Sequence, residues 1–189
     1  IQKQLEWEEP AGKRSVRLYL RGLPGGHSGL DICRVKSNAI QEMAGVLQNL
    51  QLQGIDFQLA DFKGGSAANL IPSDCECIIV LSDYMYLKLQ QVIPEICQQI
   101  LREPPENDGR PEIGFRDDVM QKKVLQKRCM KEFLDFLQTI PNGVLKEQEG
   151  FPECPELSSN IGMIRTDDEG GEIRIMARAR NEKLLKNYY

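Results

Sequence analysis

The chain has 189 residues, enough for one domain or two small ones with a real buried core. Its 24 Lys and Arg against 28 Asp and Glu leave a net charge of -4, which argues against a nucleic-acid partner because phosphate binding wants a basic face. No apolar run is long enough to span a bilayer, and no basic segment followed by an apolar one opens the chain as a signal peptide would.

In chain order, Val16, Leu18 and Leu20 alternate with Arg17, Tyr19 and Arg21, which predicts a half-buried strand over 15–21. A helix is predicted from Arg34 to a stop at Gly54, with Val35, Ala39, Ile40, Met43, Leu47 and Leu50 on one face. Asp56 to Lys63 reads as a second strand, Gly64-Gly65 as a turn, and Glu76 to Leu81 as a central strand. Ser82-Asp83 offers an N-cap for a helix to about Arg102, which Pro94 should kink or break. Glu103 to Gly109 reads as a loop and Pro111 to Arg116 as a short strand. Leu125, Cys129, Phe133, Phe136, Leu137 and Ile140 form a helical stripe that Pro141-Asn142-Gly143 ends. Asn160 to Arg165 and Glu172 to Arg178 predict a hairpin joined at Thr166 to Gly171. The order β-α-β-β-α-β, then α-β-β, predicts an α+β fold: a ferredoxin-like split βαβ sheet with helices on one face. The remainder is open to being a second, incomplete copy beside it.

The cysteines are Cys33, Cys75, Cys77, Cys97, Cys129 and Cys154. A domain of this size needs no disulfide staples, and reduced thiols in a cytoplasmic protein are expected. Cys75 and Cys77 share one strand face, a spacing for packing rather than for a zinc knuckle. The chain opens Ile-Gln-Lys with no methionine and reads as cut from something larger.

"RGLPGGHSGLD", from Arg21 to Asp31, holds four glycines and the chain's one histidine on a predicted strand-to-helix turn. Amides at such a turn hold anions, and glycines let a ligand approach the backbone. A P-loop needs Gly-Lys-Ser/Thr and a dinucleotide turn needs G-x-G-x-x-G; this stretch supplies neither. Two readings stay open from the residues alone: a tight turn whose histidine caps the helix or meets solvent, or a turn built for a ligand. "GGSAANLIPSDCE" places Asn69 just before Ile71-Pro72 and a strand, which by itself is again a turn.

Together with "TIPNGVL", "NIGMI" and a last strand ending in arginine, these stretches resemble the lid domain of the aminoacyl-histidine dipeptidases (peptidase D). These belong to the large class of zinc-dependent aminoacylases, carboxypeptidases and dipeptidases, and the resemblance runs from about Ser15 to Glu182. It implies a hydrolase of short peptides with two domains. A catalytic domain holds two zinc ions, and the lid lends it a histidine, an asparagine and an arginine. "GGHSG" makes His27 the group that polarises the scissile carbonyl, with Gly25 and Gly26 letting the backbone approach substrate. "N-x-I-P" makes Asn69 a substrate-binding residue. The substrate arginine is Arg178 or Arg180, because the family's Arg-Ser-Ser is here Arg178-Ala-Arg180. The physical roles fit: imidazole donates to an oxyanion and the guanidinium fork grips a carboxylate.

The resemblance divides the chain into a segment leading from the catalytic domain (1–14), a ferredoxin-like lid (15–116), a second helix-hairpin part (117–180) and a tail (181–189). It implies a parent catalytic domain, a homodimer through the lid and a short-peptide substrate as partners. No metal is expected in this chain, since one histidine and scattered carboxylates do not build a bridged zinc pair. Glu8-Glu9 and the Thr166 to Gly171 turn only superficially look like acidic metal motifs. The chain alone is expected to be inactive. A free-standing ferredoxin-like module for protein interaction or small-molecule sensing is the alternative. An RNA-binding domain is disfavoured by the charge and by the lack of paired exposed aromatics on the strands.

Overall fold

The computed structural model describes residues 1–100, 111–167 and 170–188. The strands are β1 (Gln2–Lys3), β2 (Trp7–Glu8), β3 (Arg14–Arg21), β4 (Gly26–His27), β5 (Gln58–Gly65), β6 (Leu70–Ile71), β7 (Cys75–Leu81), β8 (Glu112–Asp118), β9 (Val124–Leu125), β10 (Gly143–Lys146), β11 (Leu157–Asp167) and β12 (Gly170–Ala179). The helices are α1 (Ala39–Leu52), α2 (Asp83–Ile100), α3 (Lys127–Thr139) and α4 (Glu182–Tyr188).

The main sheet has the order β1-β12-β11-β5-β7-β3-β8, with β10 on β11, and every pairing is antiparallel. Within it, β5-β7-β3-β8 is the split βαβ order that the sequence predicts, with α1 and α2 as the two crossovers. The last third of the chain joins the same sheet edgewise, through β11 beside β5, rather than stacking beside it.

Alternation decides which face is dry. Val16, Leu18 and Leu20 of β3 are completely buried beneath the helices, while Arg17, Tyr19 and Arg21 face the other way. Leu18 lies between Cys77 of β7 and Phe115 of β8. Cys75 and Cys77 do share the buried face, and all six thiols are free. Phe62 of β5 meets Phe133 of α3 edge-to-face at 5.5 Å, so α3 and α1 cover one continuous core. Each such buried side chain contributes about 1.5–3 kcal/mol. On the far face Ala60, Ile78, Val80 and Val124 form a small cluster.

Three predicted boundaries move. The helix expected from Arg34 begins at Ala39, because Asn38 caps it: the Asn38 side chain accepts from Ile40 N–H at 3.0 Å. Val35 instead packs with Ile32 on Ile71. Leu125 leaves the α3 stripe to pair with Trp7 in the β2–β9 ladder. Gly64 and Gly65 end β5 in register with Cys75 and Met163 rather than forming a free turn. Pro94 lies inside α2, which continues past it. The predicted loop at Glu103 to Gly109 falls outside the described residues. The β11–β12 hairpin is present and longer than predicted.

Candidate functional site

His27 does not sit at a helix N-terminus. It ends β4, a two-residue strand that pairs with β6 as a separate ribbon, Gly26 opposite Ile71 and His27 opposite Leu70. The next rung is the Ser28 N–H donating to the Asn69 carbonyl at 2.8 Å. Two residues far apart in sequence thus become neighbours, both half-buried.

Beyond His27 the chain turns sharply. Leu30 and Asp31 donate their N–H groups to the His27 carbonyl at 2.9 and 2.8 Å. The Asp31 carboxylate accepts the His27 N–H at 2.8 Å and also pairs with Arg34. That backbone N–H first, and the Arg34 guanidinium second, hold the Asp31 carboxyl below its usual range. Asp31 also explains Gly26, where a Cβ would lie 2.5 Å from Asp31 Oδ2. Gly25 has looser neighbours, with a Cβ there 3.2 Å from the Ile71 carbonyl oxygen.

The imidazole is oriented as well as placed. Gly29 N–H donates to His27 Nδ1 at 3.2 Å. A nitrogen that accepts carries no proton, so the neutral ring keeps its proton on Nε2, free to donate. Arg178 of β12 reaches the same spot. A Cβ on Gly29 would lie 3.0 Å from Arg178 Nε and 3.1 Å from His27 Cε1, so guanidinium and imidazole meet over this glycine. Among the described residues Arg178 has no ion-pair partner. Arg180 is exposed and adjoins Glu156, which accepts its backbone N–H at 2.9 Å. Of the two candidate arginines, the one beside His27 is Arg178.

Three asparagines brace this ribbon, and none was singled out by its residue pattern. The free edge of β11 is paired by β10 as far as Ser159 and by β5 from Met163 onward. At Ile161, between them, side chains replace the missing strand. Asn142 Oδ1 accepts the Ile161 N–H at 3.0 Å, and Asn38 Nδ2 donates to the Ile161 carbonyl at 2.9 Å. Asn38 Nδ2 also donates to Asn142 Oδ1 at 3.1 Å. Asn160 points to the opposite face and donates through Nδ2 to the carbonyls of Ala68 and Leu70 at 2.9 and 2.7 Å. The ribbon crosses β11 so closely that a Cβ on Gly162 would meet Ala68 Cα at 2.5 Å. Asp31, Asn142 and Asn160 all lie inside quoted motifs, yet a polar residue in a turn or strand gives no sign of which distant backbone it will hold.

Among the described residues no three His, Cys, Asp or Glu side chains come together to hold a metal ion. Glu8 accepts from Gln58 Nε2 at 3.0 Å instead. No helix among them is long and apolar enough to cross a membrane.

Residues 18–108 match the peptidase dimerisation domain family. The chain is 26% identical over 170 residues to the cytosol non-specific dipeptidase of Escherichia coli (strain K12), covering 90% of this chain and 35% of that protein. The aminoacylhistidine dipeptidase of Vibrio alginolyticus has the same fold over 100% of this chain and 37% of its own, with a TM-score of 0.87 and 24% identity. The chain therefore spans about a third of the length of these two proteins. Residues 18–108 carry a peptidase dimerisation domain, and the chain as a whole resembles the corresponding third of these dipeptidases.

Proposed function

We propose that this lid supplies His27, Asn69 and Arg178 to a short peptide held by a separate, metal-dependent catalytic domain. The observation that carries the reading is the meeting of Arg178 and His27 over Gly29, with the Asn69 backbone hydrogen-bonded on the next rung. One charged fork, one ring N–H and one amide on a single rim suit the three polar parts of a dipeptide: its carboxylate, its scissile carbonyl and its main chain. The His27 Nε2–H donates to the oxygen as negative charge develops on it. Arg178 binds the carboxylate through two parallel hydrogen bonds. Asn69 holds the main chain.

The proposed substrates are dipeptides, Xaa-His among them, which agrees with the two relatives being named a non-specific dipeptidase and an aminoacylhistidine dipeptidase. The two zinc ions of the proposed enzyme are assigned to its catalytic domain, and no step is assigned to a metal in this chain. Residues 1–14 and 181–189 are proposed to lead to that domain, with 15–116 and 117–180 as the two parts of the lid. The proposed assembly is a cytoplasmic homodimer joined through the lid, and the lid alone is proposed to be inactive.

The test uses the polypeptide that holds both domains, with a free dipeptide and the same dipeptide amidated at its C-terminus. Losing a charge-assisted hydrogen bond costs about 1.5–3 kcal/mol, so Arg178→Ala should lower kcat/KM for the free dipeptide by about 10- to 150-fold, mostly through KM. The amide, which has no carboxylate, should lose far less. Equal losses on both substrates, or none, would remove Arg178 from the site.

A further inference from the structure

We infer that Asn160 is a positioning residue of this site: its single amide group sets the geometry of the ribbon that carries Asn69 and His27. The inference rests on the site reading above and deepens it.

The carbonyls of residues 68, 70 and 69 project from a turn that the Leu70 N–H closes on the Ala67 carbonyl at 3.1 Å and that leads into β6. Asn160 Nδ2 takes the first two, at 2.9 and 2.7 Å, and the Ser28 N–H takes the third, at 2.8 Å. The peptide planes on both sides of Asn69 are therefore each held by a hydrogen bond from a different element. Asn160 does for β6 what a neighbouring strand would do, with one side chain holding two rungs. Because Gly26 and His27 pair with Ile71 and Leu70, an error in the tilt of the 68–70 segment is passed to the imidazole.

Asn160 is itself held. It is 1% exposed, and the next residue, Ile161, has its N–H and carbonyl clamped by Asn142 and Asn38. Asn38 also caps α1, so the site is referenced to the core helix through a short chain of buried amides. A second feature separates this role from ordinary packing. Among the described residues Asn160 Oδ1 is buried without a hydrogen-bond partner, as is Ser28 Oγ. A buried acceptor without a partner is unfavourable, and an apolar side chain of the same shape would avoid it. What retains the amide here is its donor, and the two acceptors of that donor flank Asn69.

The donor is removed with little change of shape by Asn160→Leu, and Asn160→Asp leaves at most one donor hydrogen for the two carbonyls. Both are made in the full-length protein and followed by hydrogen exchange on fragments covering 26–31, 66–72 and β7. Exchange in 26–31 and 66–72 should rise at least tenfold in both variants, with β7 unchanged, and kcat on a dipeptide should fall more than KM rises. Unchanged exchange in the ribbon fragments, or an equal rise throughout including β7, would overturn the inference and reduce Asn160 to a packing residue. If Asn160→Leu does not fold, Asn160→Asp alone decides between these outcomes. Faster ribbon exchange with unchanged dipeptide turnover would support the positioning role of Asn160 and would instead overturn the substrate-site reading on which it rests.

Discussion

Replacing Asn38 tests whether buried amides hold the frame of the site. Asn38 is 2% exposed and makes three contacts with its one side chain: it accepts from Ile40 N–H, and it donates to the Ile161 carbonyl and to Asn142 Oδ1. In Asn38→Ala the cap is lost, at a cost of about 1 kcal/mol. The Ile161 carbonyl is left buried without its donor, at a cost of about 1–3 kcal/mol. The Asn142 bond to Ile161 N–H survives. The sum is about 2–4 kcal/mol, which for a chain of this length lowers Tm by about 4–16 °C. Asn38→Ser separates the parts, since a serine hydroxyl can still cap α1 but cannot reach across to β11. It should recover about 1 kcal/mol of that loss, leaving a loss of about 1–3 kcal/mol. Urea unfolding followed by circular dichroism measures both variants. A change below about 0.5 kcal/mol in Asn38→Ala would refute the bracing role, and equal losses in the two variants would refute the division between cap and clamp.

Two further outcomes concern ionisable groups. Burial raises the thiol of Cys75 well above its usual range and raises that of Cys77 as well, so the folded state keeps both protonated while the unfolded chain ionises them near pH 8.5. Their contribution is complete below that pH and declines as pH rises, by about 1.4 kcal/mol per pH unit for each thiol. Urea unfolding between pH 8 and 10 should show this decline, and iodoacetamide should modify exposed Cys154 long before either buried thiol; a flat profile or early labelling of Cys77 would contradict it. Asp31 has the opposite sign. Its folded value is lowered by the His27 N–H and Arg34, so its hold on the turn is complete above the ordinary carboxylate value of about 3.9 and is lost only as pH falls further. The His27 amide shift in an NMR titration should move below that value, and a midpoint at or above it would contradict the capping role.

The alternation of Val16, Leu18 and Leu20, the stripe on α1 and the Ser82 cap were enough to predict the split βαβ order, because burial on one face and local capping are properties of nearby residues. The ribbon was not visible. Gly26-His27 and Leu70-Ile71 are each too short to carry a periodic pattern, and the second of them is held by Asn160, 90 residues further along. The stretch from Arg34 to Ser37 looked helical because Val35 falls on the same 3.6-residue spacing as Ala39. The Asp31 turn and the Asn38 cap override that spacing. The choice between Arg178 and Arg180 needed the fold, since Arg178 lies in β12 against Gly29 while Arg180 lies just past its end and is exposed. His27 and Asn69 could be linked from sequence only through a resemblance; the Ser28–Asn69 hydrogen bond gives the physical reason for it.

The central claim is that the chain's one imidazole acts on a developing oxyanion. His27→Ala in the polypeptide holding both domains tests it, with steady-state kinetics on Ala-His and thermal unfolding measured on the same preparation. Removing one such donor costs roughly 2.7–4 kcal/mol, so kcat should fall by about 10²–10³ while KM changes little. The half-buried ring makes one local bond, to Gly29 N–H, so Tm should fall by no more than about 2–4 °C. A kcat within about threefold of the parent, with Tm lowered beyond that range, would show that His27 only holds its turn together.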